Sequence, residues 1–330
     1  MAEQHSSKLR LVMMGTGPFA VPLFRALFDT RHTVAALVTQ PVRASRAGRA
    51  SINLMREVAH EHGTPILDPE SVNTDQARDE LRGLLPDLFV VADYGQILSA
   101  ETLSVARLGG VNLHGSLLPK YRGAAPINWA LYHGDIETGV TVIHMTPRVD
   151  AGPTLAQRRT AIGAEENAVE LEQRLAEMGA PLVVQAIDDL AAGRIEPITQ
   201  DASLASPARR LRKTDGAIDW SRSAQAIKNQ VRALEPWPKT YTFWHRAGGE
   251  PLRLILGRTS VQSVGDSAPP GTVVRAAGDE LVVATGSGQL AIHELQPAGK
   301  RMLTTAEFLR GYPVSAGERL GPERRQANEL

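Results

Sequence analysis

Leu9-Arg-Leu-Val-Met-Met-Gly-Thr-Gly-Pro-Phe-Ala-Val-Pro-Leu-Phe-Arg-Ala-Leu-Phe28 reads as a buried strand, a tight glycine turn and a helix. Thr33-Val-Ala-Ala-Leu-Val-Thr39 follows as a second strand, apolar without alternation, as strands covered on both faces are. The same alternation continues downstream. Residues 52–62 suit a helix, 64–67 a short strand and 75–85 another helix. Asp87-Leu-Phe-Val-Val-Ala-Asp93 then reads as a central strand, and Val111-Asn-Leu-His114 as the end of the next. Strand and helix alternating in this way predict an α/β domain built on a Rossmann-like, doubly wound, mostly parallel sheet. Gly15, Gly17 and Ala20 imitate a dinucleotide-binding turn. That chemistry needs an acidic residue about 20 positions on to hold a ribose. Val38-Thr-Gln40 stands there instead, so a nicotinamide cofactor is not expected.

At 330 residues, two domains are the default expectation. The absence of cysteine excludes disulfides and thiolate chemistry and fits a reducing, cytoplasmic setting. No apolar run approaches the roughly 20 residues of a membrane span, and the polar start, Met1 to Arg10, lacks a signal-peptide core. Formal net charge is zero, but its distribution is uneven. Residues 1–200 carry 18 Lys+Arg against 23 Asp+Glu, and residues 201–330 carry 18 against 13. A second part with five excess positive charges suits a polyanionic partner.

The chemistry concentrates in Val111-Asn-Leu-His-Gly-Ser-Leu-Leu-Pro-Lys-Tyr-Arg-Gly-Ala-Ala-Pro126. Side chains alternate along a strand, so Asn112 and His114 share one face while Val111 and Leu113 share the other. A polar pair at the carboxyl end of such a strand lies where open α/β sheets place ligands. Asp150, on the glycine-containing loop after the strand 139–145, is placed to reach the pair. No nucleophile elbow, cysteine or set of three metal ligands accompanies them; His60 and His62 diverge on a helix, and His144 reads as a packing histidine. Asn112, His114 and Asp150 therefore suit acyl or formyl transfer to an external amine. The substrate brings the nucleophile, and the protein stabilises an oxyanion, manages a proton and holds two substrates in register.

Pro41-Val-Arg-Ala-Ser-Arg-Ala-Gly-Arg49 places Arg43, Arg46 and Arg49 on one loop without an acid, either a solvated surface loop or an arm for phosphates. Residues 201–215 read as a linker. Beyond them, short strand-like runs separated by Gly and Pro (241–244, 252–256, 271–275, 280–285 and 290–295) predict a small barrel of oligonucleotide-binding type. The tail from Gly317 is polar and expected to fray. The expected organisation is thus a domain over 1–200, a linker over 201–215 and a β-domain over 216–330.

The stretch from Asn112 to Ile127 resembles the signature of methionyl-tRNA formyltransferases. Gly15-Thr-Gly-Pro-Phe-Ala-Val-Pro22, Val90-Val-Ala-Asp-Tyr-Gly-Gln-Ile-Leu98 and Asp150-Ala-Gly152 resemble the same family, in family order. So do Lys213-Thr-Asp-Gly-Ala-Ile-Asp-Trp220, Arg232-Ala-Leu-Glu-Pro-Trp-Pro238 and Leu295-Gln-Pro-Ala-Gly-Lys300. The resemblance implies transfer of a formyl group from 10-formyltetrahydrofolate, as donor substrate rather than tightly bound cofactor, to the α-amino group of methionyl initiator tRNA. It implies catalytic roles for Asn112, His114 and Asp150. It implies a folate pocket from Ser116, Leu117, Leu118 and Pro119 together with Val91, Asp93, Tyr94, Gly95, Gln96 and Ile97, the latter acting largely through backbone groups. It implies tRNA contacts from Arg43, Arg46, Arg49, Lys213 and Lys300, no metal, and a cytoplasmic monomer without a membrane partner. The arginine loop departs from the family's usual Pro-Asp-Arg-Pro-Ala-Gly-Arg-Gly pattern, and Asp93 stands where a small residue is common. Two other readings share features of the chain: a formyltransferase acting on an amino sugar nucleotide, and a noncatalytic tRNA-binding protein. The arginine loop and basic second part favour tRNA over the sugar, and the intact trio argues against a binding module.

Overall fold

A computed structural model describes residues 8–42, 53–246, 249–262 and 268–323. The chain forms two compact units. The first takes the described residues up to Ile127, with Glu137–Ile162 and Glu170–Arg209. The second takes Asn128–Ile136, Gly163–Val169 and the described residues from Arg210 onward.

In chain order the elements up to residue 208 are β1 (Arg10–Met14), α1 (Val21–Phe28), β2 (Thr33–Val38), α2 (Leu54–Glu61), β3 (Ile66–Leu67), α3 (Asp75–Gly83) and β4 (Leu88–Val91). They continue as α4 (Ala100–Leu103), β5 (Gly110–His114), β6 (Arg122–Gly123), α5 (Pro126–His133), β7 (Glu137–His144), β8 (Thr154–Ala161), α6 (Ala168–Ala191) and β9 (Pro207–Ala208). Seven strands form one sheet in the order β3-β2-β1-β4-β5-β7-β8. The five from β3 to β5 run parallel, while β7 and β8 add an antiparallel edge. Leu11–Met14 and Leu88–Val90 are completely buried, as strands of a parallel sheet covered on both faces should be. Strand order reverses between β1 and β4, so the carboxyl ends of these central strands flank the sheet's topological switch point.

The turn after β1 needs glycine for a steric reason. A Cβ on Gly15 would lie 2.8 Å from the Ala20 Cβ and 2.9 Å from the Ala92 carbonyl oxygen. The Thr16 and Gly17 N–H groups both donate to the Asp93 carbonyl, so this turn joins β1 to the end of β4. Caps set the helix starts: the Asn53 side chain accepts from the Met55 and Arg56 amides, and Thr74 accepts from Ala77.

The second unit carries α7 (Ala224–Ala233), β10 (Thr240–His245), β11 (Leu252–Leu256), β12 (Thr259–Gln262), β13 (Val273–Ala277), β14 (Glu280–Ala284), β15 (Gln289–Ile292), β16 (Glu294–Pro297), β17 (Leu303–Thr304), α8 (Thr305–Gly311) and β18 (Arg319–Gly321). All its named strand pairs are antiparallel, in sheets ordered β17-β16-β11-β10-β18 and β12-β15-β14-β13. β11 and β12 follow closely in sequence, as do β15 and β16, and a Thr272–Arg319 bridge links the β13 and β18 edges of the two sheets within this unit. Trp220, Trp244, Leu254, Leu256, Val283, Leu295, Phe308 and Leu320 fill its core.

Two local expectations fail here. The run 290–295 is two strands, because the chain breaks at His293, whose N–H turns to the Arg258 carbonyl. The tail from Gly317 contains β18, in which buried Leu320 pairs with Trp244; burial of one leucine outweighs the polar composition around it. Within residues 201–215, β9 pairs with β6, so this segment contributes order to the first unit. Among the described residues no helix is long and apolar enough to cross a membrane.

Candidate active site

β5 presents Asn112 and His114 on one face, at the carboxyl end of the sheet, and Asp150 meets them from the β7–β8 connection. The buried His114 ring is held from both sides. Its Nε2 lies 2.8 Å from the Tyr121 carbonyl oxygen, and its Nδ1 lies 3.5 Å from Asp150 Oδ2. A carbonyl only accepts, so Nε2 carries a proton, and a second proton on Nδ1 would face the carboxylate. Asp150 Oδ2 also accepts the Gly123 N–H at 2.9 Å. Asp150 adopts φ 48°, a left-handed conformation uncommon for a residue with a Cβ. Asn112 is half-buried, and its amide has no hydrogen-bond partner among the described residues. A ready donor thus sits beside an oriented imidazole–carboxylate pair.

The loop after β5 is fastened to the antiparallel edge. The Ser116 hydroxyl donates to the Lys120 carbonyl at 2.6 Å, and the Thr141 hydroxyl donates to the Ser116 carbonyl at 2.6 Å. The Leu118 N–H donates to the Thr141 hydroxyl, and Gln157 Nε2 donates to the Leu118 carbonyl. Leu118 is buried, while Leu117 and Pro119 are half-buried. These four hydrogen bonds tie the loop to itself and to β7 and β8.

The loop after β4 is fixed by its carbonyls. The Tyr94 carbonyl accepts from the Thr16 hydroxyl at 3.2 Å and Gln40 Nε2 at 3.0 Å. Gln96 Oε1 accepts from the Val72 N–H at 2.8 Å, and Asn73 Nδ2 donates to the Ile97 carbonyl at 2.8 Å. Val91 is buried, and Gly95 and Ile97 are exposed. The Tyr94 ring turns inward among Met14, Val38, Phe89 and Leu103, where its hydroxyl finds no partner and burial pushes its pKa up. Removing an unsatisfied buried hydroxyl should help folding. Tyr94→Phe is therefore expected to stabilise the protein by about 1 kcal/mol with unchanged turnover, measured by urea unfolding and initial rates.

The carboxyl groups of Asp93, at φ 43°, and of Glu172 on α6 have no hydrogen-bond partner among the described residues. A Cβ on Gly17 would lie 1.6 Å from Asp93 Oδ2, so the carboxylate lies against the turn after β1. Desolvation raises Asp93 to about 6, and desolvation with repulsion from Asp93 raises Glu172 to about 7. Folding thus favours the protonated forms. The stabilisation is complete below the unfolded values near 4 and is lost as pH rises through about 6 and 7. Solvent access to Asp93 tempers the effect without changing its sign. Asp93→Asn should raise the melting temperature at pH 8 and flatten its decline between pH 5 and 8; an unchanged slope would contradict this assignment.

Arg43, Arg46 and Arg49 lie outside the described residues. Lys213 and Lys300 are exposed on the second unit. His144 donates to or accepts nothing at the site; its Nε2 pairs with the Leu108 carbonyl at 2.9 Å. Among the described residues no three His, Asp or Glu side chains gather to hold a metal ion.

Residues 8–187 match the family described as Formyl transferase, and residues 210–313 match Formyl transferase, C-terminal domain. The chain is 42% identical over 314 residues to the methionyl-tRNA formyltransferase of Citrifermentans bemidjiense, covering 95% of this chain and 96% of that one. The Geobacter sulfurreducens enzyme of the same name is 41% identical, covering 95% and 97%. The chain belongs to the methionyl-tRNA formyltransferase family.

More distant structures share the fold. WlaRD, a sugar 3N-formyl transferase, matches with TM-score 0.62 at 15% identity over 89% of this chain and 100% of that one. HypX from Aquifex aeolicus in complex with tetrahydrofolic acid matches with TM-score 0.60 at 16% identity. That match covers 92% of this chain and 47% of HypX, so the chain spans about half of HypX. Two residues near the trio are not legible in the sequence. Arg122 and Gln200 meet behind Asp150, with Arg122 Nε and Nη2 donating to Gln200 Oε1 at 3.1 and 2.7 Å. Gln200 ends a polar segment just before the expected linker, and only the tertiary fold brings it 78 positions back to Arg122.

Proposed function

We infer that this chain transfers the formyl group of 10-formyltetrahydrofolate to the α-amino group of methionyl initiator tRNA, with Asn112, His114 and Asp150 at the reacting atoms. The observation that carries the residue assignment is the unpartnered Asn112 amide on the same strand face as the His114–Asp150 pair. The neutral methionyl amine attacks the formyl carbon, forming a C–N bond and a tetrahedral oxyanion. Asn112 Nδ2 donates to that oxyanion. His114 joins it when the ring exchanges one of its present partners for the substrate oxygen. Asp150 Oδ1, which has no partner among the described residues, takes the amine proton. The oxyanion then collapses to the carbonyl as the C–N10 bond breaks, the proton held by Asp150 passes to N10, and tetrahydrofolate leaves beside formylmethionyl-tRNA.

The donor reading places folate along Ser116–Pro119 and Val91–Ile97. Two tied loops at the carboxyl edge, with their carbonyls and amides fixed, suit a flat heterocycle read largely by backbone groups. The acceptor reading assigns Arg43, Arg46, Arg49, Lys213 and Lys300 to tRNA phosphates. In this reading the domain over 1–200 carries the donor chemistry and the arginine loop, and the domain over 216–330 adds further acceptor binding. We further propose a cytoplasmic monomer, checked by light scattering. The reading as a whole is tested by offering labelled formyl donor to charged initiator tRNA, uncharged tRNA and an amino sugar nucleotide in parallel. Label should appear on the charged tRNA alone; label on the sugar but not the tRNA would overturn the reading. Binding of tRNA should weaken steeply with salt.

A further inference from the structure

We propose that Gln200 is a positioning residue for formyl transfer, holding the Asp150 backbone so that its carboxylate meets His114. The proposal rests on the Asp150 role inferred above. Gln200 Nε2 donates to the Asp150 carbonyl at 2.9 Å and to the Gly152 carbonyl at 2.7 Å. Its Oε1 takes two N–H groups from Arg122. The amide orientation is unambiguous, because guanidinium only donates and carbonyls only accept. All the hydrogen-bonding capacity of this half-buried amide is therefore spent on one task.

The target needs such a grip. Asp150 holds a left-handed backbone that its own side chain disfavours, so its neighbours must impose the conformation. The loop at Gly152 packs closely on β7, where a Cβ would lie 1.8 Å from the His144 carbonyl oxygen. Two adjacent residues of β6 clamp Asp150 from both ends. The Gly123 N–H holds its carboxylate, and Arg122 holds its carbonyl through Gln200. Gln200 is itself anchored, because Ile198 exchanges two backbone hydrogen bonds with Thr154 at the start of β8. Without the two amide protons, the 150–152 backbone loses the Gln200 donor that ties its two carbonyls together, and Asp150 can swing away from Nδ1.

Gln200→Glu separates positioning from folding. It keeps the shape and the Arg122 pairing while setting an oxygen against both carbonyls. The expected result is turnover lowered about 10- to 100-fold, as for a catalytic group misplaced by about 1 Å. KM for donor and charged tRNA should stay within about threefold, since neither binding loop depends on Gln200. Gln200→Asn, one methylene too short to span Arg122 and the carbonyls, should behave alike if the glutamate variant fails to fold. The decisive arm is the cycle with Asp150→Asn. Where Gln200 acts through Asp150, adding Gln200→Glu to Asp150→Asn lowers turnover no further. Wild-type turnover in Gln200→Glu, or losses that multiply in the double variant, would overturn the proposal. Wild-type turnover in Asp150→Asn alone would instead overturn the reading on which it rests.

Discussion

Asn112→Ala should lower turnover by on the order of 10² to 10³ while leaving both KM values within a few-fold, the usual result of deleting one oxyanion donor. The structure makes this residue a good candidate for so large an effect. Its amide is half-buried and has no partner among the described residues, so its N–H groups are not already committed to the fold. Removing a group with no folding role should also leave the melting temperature nearly unchanged. Asn112 lies within β5, between Val91 of β4 and Ile143 of β7, and Ala fits the strand without disturbing that pairing. Single-turnover rates and thermal unfolding check both halves. Normal turnover would show that the oxyanion is stabilised elsewhere.

Asp150→Asn should lower turnover by about 10² to 10⁴, the range for removing a positioned proton acceptor. The amide can still present an oxygen to the Gly123 N–H, so the loop keeps its tie. What is lost is the negative charge facing His114 Nδ1 at 3.5 Å and the free Oδ1. The loss should persist across pH, because an amide cannot be deprotonated to recover the base. A variant recovering wild-type rates at high pH would place the proton acceptor on another group.

The sheet and trio could be read from sequence because their signals are local. Apolar runs at 9–14, 33–39 and 87–93 need only be recognised as doubly covered strands, and Asn112 and His114 share a face by alternation alone. Asp150 needed one further step, from a glycine-containing loop to a neighbouring strand's end. The pairing of Gln200 with Arg122 was out of reach, because its meaning lies in a contact across 78 positions that no local pattern signals. β18 was missed for a related reason: a single leucine among polar residues carries no periodicity, yet Leu320 joins the core of the second unit. The inward turn of Tyr94 follows from the backbone of the loop after β4, which alternation does not govern.

One measurement bears most directly on the account: single-turnover formyl transfer by His114→Ala at saturating labelled donor and charged initiator tRNA, alongside its circular dichroism. His114 lies between the Tyr121 carbonyl and Asp150, so its ring joins the proposed oxyanion donor to the carboxylate that takes the proton. The account predicts native-like dichroism with a rate reduced by at least about 10². A folded His114→Ala protein that transfers formyl at close to the wild-type rate would contradict it.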